Sequence, residues 1–362
     1  MRTRWLLVAA LLGVSAANPA RAGVYFPAEP TPWPLPTNPR HFEDVLGERK
    51  NVAAPNAASM PLRKHVEKLV EELAPKRRRG NLTVEESINL SACYILQQKA
   101  NDAVEVLENA KSREDRKKPN FMLRANLATA YHALGEFSRA LALQQELLDP
   151  IIWPRAHEGF TTEQLRWYRR AEEAYRDLLR ARASEGPQRL REVRLDPLFK
   201  KAHALGNEEN YSANQIDPEI AKELPPDALP LVKQLLLWLP HDQRLLWLYA
   251  ELLNAQGQAD IAVKTLNQLV DTGFSSNAVK AHRTVLIEAT TPPPPEETPW
   301  SPEWRSVLVG LGTGVLVGVL LVLQFLQFRR WWSRPKPKPA ALAASRDGNI
   351  GEDRSTVGRG TP

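Results

Sequence analysis

A single cysteine in 362 residues removes covalent stapling from the account of this chain. Cys93 has no partner within the chain, so an intramolecular disulfide is excluded and stability rests on apolar packing. It stands beside Tyr94, Ile95 and Leu96 in a helical pattern, the setting of a buried, inert thiol rather than a nucleophile. The seven histidines are dispersed, with no HExxH pair and no Cys/His cluster to ligate a metal. Gly-x-Ser-x-Gly and Walker-type loops are missing as well. The sequence therefore predicts no catalytic residue, no cofactor and no metal site. Sustained period-two alternation bounded by hairpin turns is also lacking, which excludes a strand-rich fold.

A strong charge of one sign is missing too, once the formal +6 is divided. Arg2, Arg4 and Arg21 carry +3 of it at the amino end, and the residues after Phe328 carry a further +5, leaving −2 for the portion between. Counterion release on phosphates needs a basic face, so nucleic acid is excluded as a partner. Lys76-Arg77-Arg78-Arg79, the longest basic run there, reads as a solvated loop between helices.

Two apolar stretches set the expected topology. The uncharged run Ser306–Phe328 is closed by Arg329, Arg330, Trp331 and Trp332. As a helix it would span roughly 34 Å, enough for a bilayer core of about 30 Å. The cations after it, with Arg334, Lys336 and Lys338, are expected on the cytoplasmic side. At the other end, Arg2 and Arg4 precede the apolar Trp5–Val14, and Ala20-Arg21-Ala22 supplies a small-x-small cleavage site before Gly23. That is the pattern of a secretory signal peptide. The expected organisation is a signal peptide (1–22), a Pro-rich extended arm (23–59), an extracytoplasmic helical domain (60–290), a Pro-rich linker (291–305), a transmembrane helix (306–328) and a basic, disordered cytoplasmic tail (329–362). The address this implies is the cytoplasmic membrane of a bacterium, with the amino-terminal domain outside.

Helix signals fill the central region. Leu62, Val66, Leu69, Val70 and Leu73 form one apolar stripe that Pro75 is expected to end. Thr83 with Glu86 and Thr161 with Gln164 are capping boxes, the second opening a stripe of Leu165, Tyr168, Ala171, Tyr175, Leu178 and Leu179 that Gly186-Pro187 should stop. Pro226 suits a first helical position before Leu229, Val232, Leu235 and Leu236. Asp242 and Ser275 are expected N-caps and Gly273 a C-terminal stop. Trp33 and Phe42 of the arm are expected to fold back onto the domain.

An internal repeat underlies the stripes. Tyr94, Ala103, Leu107 and Ala110 recur as Tyr131, Ala140, Gln144 and Leu147 after 37 residues. On Leu127, Ala128, Tyr131, Gly135 and Ala140 the chain resembles the tetratricopeptide-repeat (TPR) family. Ala250, Leu253, Gly257, Ala262, Leu266 and Leu269 make a further unit, and Ala228, Val232, Leu235 and Pro240 match the second helix of a unit whose first helix is degenerate. The likeness is good over 84–148 and 228–270 and poor over 153–214. It implies an all-α solenoid of helical hairpins serving as a protein- or peptide-binding scaffold. Small residues at Ala128 and Ala140 let helices approach, and Gly135 and Gly257 make the tight turns.

The resemblance also implies a carboxylate clamp, for which Asn126 and Arg244 are in place but Ile88, Ala92 and Leu248 are not. A row of Arg244, Trp247, Glu251 and Asn254 at helical spacing is instead expected as a partly exposed partner-binding stripe, with packing of Trp247 against Trp238 or the Trp153 segment as the plainer alternative. Gly310, Gly314 and Gly318 form overlapping small-xxx-small pairs that permit a homodimer through the membrane helix. The expected function is a non-catalytic, membrane-anchored scaffold for an envelope protein or peptide. The alternative is an exported enzyme or carbohydrate-binding module on a helical scaffold.

Overall fold

The computed structural model describes residues 25–26, 34–54, 60–115, 117–185, 195–199, 211–274, 276–292 and 302–332. The signal peptide, most of the Pro-rich linker and the tail beyond 332 lie outside them. Among the described residues there are thirteen helices and no strand. The chain divides into two compact units, Met1–Pro292 and Pro293–Pro362.

In the first unit, α1 (Pro39–Lys50) and α2 (Pro61–Arg78) precede two hairpins, α3 (Val84–Leu96) with α4 (Ala100–Ser112) and α5 (Phe121–Ala133) with α6 (Phe137–Leu147). The long α7 (Thr162–Ser184) packs behind α6 and also against α9 (Ala228–Trp238). It thus stands where the first helix of the α9 unit belongs, with residues 185–227 and the short α8 (Pro218–Glu223) inserted between them. A further hairpin, α10 (Gln243–Ala255) with α11 (Ala259–Asp271), is followed by α12 (Asn277–Thr290) packed on α11.

The hairpins share one turn. In each, the second residue after the first helix takes a left-handed conformation: Gln98 (φ 59°), Gly135 (φ 75°) and Gly257 (φ 78°). The next amide then reaches back to the helix, Lys99 to Tyr94 O, Glu136 to Tyr131 O and Gln258 to Leu253 O, at 2.8–2.9 Å. This is the Schellman closure, which satisfies carbonyls that a helix end leaves unpaired. Tyr94, Ala103, Ala128, Tyr131, Ala140, Ala250 and Ala262 are buried where the helices cross. The capping boxes at Thr83 and Thr161 are both formed, and Asp242 caps α10 through Leu245 N.

Four expectations give way. Pro75 does not end α2, which continues for one more turn to Arg78 and closes at Gly80 (φ 72°). A proline removes one amide from the ladder, but its own carbonyl still accepts from Arg79 N at 3.3 Å. Pro226 lies outside α9, which starts at Ala228 after Asp227. The N-cap of α12 is Ser276 rather than Ser275, which lies outside the described residues. Finally, the arm is not extended throughout: Asn38 caps α1, Pro39 fits its first turn, and Phe42 and Leu46 bury one face. Phe42 meets Tyr249 at 5.4 Å, and Arg49 donates to Leu237 O at 3.0 Å. Trp33 lies outside the described residues.

The second unit contributes α13 (Pro302–Trp332). Among the described residues no helix is long and apolar enough to cross a membrane. The side chains of 302–310, 312, 313 and 331 lie outside those described, and with them positions 306–310, 312 and 313 of the expected span 306–328.

Candidate peptide-binding surface

Asn126 sits in the middle of α5, fully buried, with its amide turned away from its own helix. Its Oδ1 accepts from Tyr25 N at 2.7 Å and its Nδ2 donates to Tyr25 O at 2.9 Å. One side chain therefore holds both main-chain groups of a residue 101 positions away. The Tyr25 ring enters a box of aromatic side chains, Phe121 at 5.1 Å, Tyr168 at 6.3 Å and Trp238 at 6.4 Å. Its hydroxyl faces Glu172, whose burial pushes the carboxyl up to about 7. Gln144 Nε2 donates to the Glu172 carboxylate and, at 3.2 Å, to its main-chain carbonyl.

A second asparagine does the same near the other end. Asn254 Oδ1 accepts from Asn214 N at 2.7 Å, and its Nδ2 donates to Ser212 O at 3.0 Å. Asn214 (φ 59°) turns the segment so that its own Oδ1 accepts from Ala259 N at 3.1 Å, at the start of α11. Tyr211 stacks on His282, with ring centroids 3.7 Å apart.

The expected stripe is thus covered by the chain itself. Trp247 is 3% exposed, Glu251 1% and Asn254 2%, against the partial exposure expected of them. Trp247 Nε1 donates to Glu251 Oε1 at 2.7 Å, the same oxygen that lies 2.8 Å from His282 Nδ1. The indole packs near Phe274 and His282, both at 6.4 Å, rather than on Trp238. Arg244 makes a two-pronged pair with Glu185 at 2.7 and 2.8 Å and a third bond to Asp196 at 2.7 Å. The cause is the insertion after α7, which supplies Glu185, Asp196 and Tyr211–Asn214 to polar groups that a bare repeat would present to solvent.

Behind Arg244 lies a buried ionic cluster. Arg182 of α7 pairs with Asp196 and Asp242 at 2.5 Å each and donates to His132 Nε2 at 2.7 Å. Burial and Arg182 depress the His132 imidazole below its usual range, against the opposing pull of Asp242. Arg182 also holds the Asp242 carboxyl well below its usual range. The cluster joins α5, α7 and α10 and opens onto a cleft of about 540 Å³ lined by Gln98, His132, Trp238, His241 and Phe274. Ile88, Ala92 and Leu248, the departures from the carboxylate clamp, are buried core residues. Among the described residues no group of three His, Cys, Asp or Glu is placed to hold a metal ion.

In α13, Gly314 and Gly318 have nothing within 4 Å of where a Cβ would stand, and the Gly310 side lies outside the described side chains. The partners of Asn126, Asn254 and Arg244 were not legible beforehand. They come from distant, irregular segments that carry no periodicity, and the Tyr25-Phe26 aromatic pair was the one local sign of them.

A tetratricopeptide-repeat family model matches residues 220–284, from α8 into α12. No curated protein and no solved structure matches the chain. The match supports the TPR family on the segment that holds the α10–α11 hairpin, and such repeats are generally protein-binding scaffolds without catalysis.

Proposed function

We propose that this chain is a non-catalytic scaffold, anchored in the cytoplasmic membrane of a bacterium by residues 306–328, that holds a protein or peptide partner on the extracytoplasmic side. One observation carries the binding part. Asn126 and Asn254 each fix a non-helical segment through its main-chain groups, so these helix faces are built to handle peptide backbone. The TPR match over 220–284 points to the same use.

The anchoring part is supported by sequence and by α13. The run is uncharged over 23 positions, 306–328, and the described apolar side chains from Leu311 to Phe328 are exposed around the helix. An apolar helix face without a partner is stable in lipid rather than in water. The open faces at Gly314 and Gly318 leave room for a second copy of the helix.

In-membrane crosslinking followed by affinity capture tests the scaffold. The full chain should enrich a defined envelope protein that a chain lacking residues 60–290 does not. Equal recovery by both chains would defeat the reading.

A further inference from the structure

Tyr25 and Phe26 belong to no helix, yet they are among the most buried residues of the molecule. These two neighbouring residues nevertheless enter different cores. Tyr25 joins the larger core with Phe121 and Trp238, and Phe26 joins the smaller core with Leu62 and Val66, 5.7 Å from the His65 ring. Among the described residues, no helix cap and no hairpin turn uses either residue. What holds the dipeptide is the Asn126 amide, the aromatic box and the Glu172 floor. Contacts of that kind open locally while the helices keep their own ladders.

We propose that Tyr25–Phe26 is a dissociable strap, an intramolecular ligand in a peptide groove formed by α2, α3, α5, α7 and α9. A partner segment that carries two consecutive aromatic residues displaces it. Asn126 reads the main chain of either occupant, so it sets no sequence preference. The two ring sites set it: one ring must enter the Phe121–Tyr168–Trp238 box and the next must reach the pocket beside His65. An occupant with a single aromatic fills one core and leaves the other open. The partner rests on the scaffold reading above, whereas the strap stands on the contacts just given.

The probe is a fluorescent peptide with the sequence of residues 23–28, Gly-Val-Tyr-Phe-Pro-Ala, titrated into the full chain in detergent. A Tyr25→Ala/Phe26→Ala chain should bind it at least roughly tenfold tighter than the natural chain, because the strap keeps the natural groove occupied. Adding Asn126→Ala to that chain should remove most of the gain. Equal affinity for both chains, or no binding to a double variant that still unfolds cooperatively, overturns the proposal. If the double variant does not fold, hydrogen exchange of the natural chain decides. The Tyr25 amide should exchange faster than that of Leu127 in α5, and exchange of both only at the rate of global unfolding overturns the strap. Failure of peptide binding leaves the crosslinking result untouched, and failure of crosslinking leaves the strap standing.

Discussion

Gln98 shows how one position can be strained by the company it keeps. It occupies the turn that glycine fills at Gly135 and Gly257, with φ at 59°. A side chain there costs on the order of 1 kcal/mol or more, because Cβ crowds the carbonyl in the left-handed region. Its compensation is one exposed contact to His241 at 3.1 Å. Gln98→Gly should therefore stabilise the fold by about 0.5–1 kcal/mol, net of the added freedom of the unfolded chain, and raise the melting temperature. A lower melting temperature would show that the His241 contact matters more than the turn. Glu172 makes a different claim at the same scale. Its carboxyl rises from 4.5 unfolded to about 7 folded, so between those values the folded chain holds a proton that the unfolded chain has released. Stability from this group is present below pH 4.5, falls as pH rises through that window and is gone above about 7, an effect of roughly 3 kcal/mol. His132 acts in the opposite sense, since a depressed base loses stability as pH falls below its unfolded value. Comparing Glu172→Gln with the natural chain isolates the first effect. The variant's relative stability should climb by about 3 kcal/mol from pH 4.5 to 8 in urea denaturation. A difference that does not change with pH would show that Glu172 is ionised in the fold.

At the scale of elements, the insertion between α7 and α9 alters what α10 can do. A stripe of Arg, Trp, Glu and Asn at helical spacing reads as a binding face when only its own helix is considered. In the molecule, Trp247 is fixed by Glu251 and packed near Phe274, and Asn254 pins Ser212 and Asn214. Trp247→Ala should destabilise the fold by about 3–5 kcal/mol, the usual cost of emptying a buried aromatic site. A nearly unchanged melting temperature would return Trp247 to the surface. Asn254→Ala should cost about 1 kcal/mol by removing two part-buried bonds, to Asn214 N and Ser212 O. The hairpins themselves were legible, because caps, glycine turns and small residues at crossings are local or recur at a fixed interval. Thr83, Thr161, Asp242 and Gly257 needed no knowledge of the rest of the chain. The coverings of the two asparagines were not legible, because Tyr25 is 101 residues from Asn126 and residues 211–214 have no period of their own. The reason at α1 is local instead: its helical signal at Asn38-Pro39 was masked by the prolines before it.

For the whole molecule the ionic cluster and the apolar run 306–328 divide the question of stability from that of address. Arg182 ties α7 to Asp196 and Asp242 with almost no exposure, and without it Asp196 is left to Arg244 and Asp242 to His132 and the Leu245 amide. Arg182→Met should cost about 3–5 kcal/mol, since removing one partner leaves buried charge uncompensated. Exchanging all three residues for apolar ones of similar volume should cost much less. Denaturant unfolding of both variants decides between a cluster that stabilises and one that is merely tolerated. The address depends on separate residues. If residues 306–328 span a membrane with Arg329 and Arg330 retained in the cytoplasm, alkaline phosphatase joined after Thr290 should be active and joined after Trp332 inactive. A fluorescent protein that matures only in the cytoplasm should show the reverse. Replacing Arg329, Arg330, Arg334, Lys336 and Lys338 by glutamine should weaken that orientation, because the positive residues beside the apolar run set it. Phosphatase activity at both junctions in the natural chain would mean that the run does not cross, and the anchored reading would fail while the helical scaffold of the first unit stood.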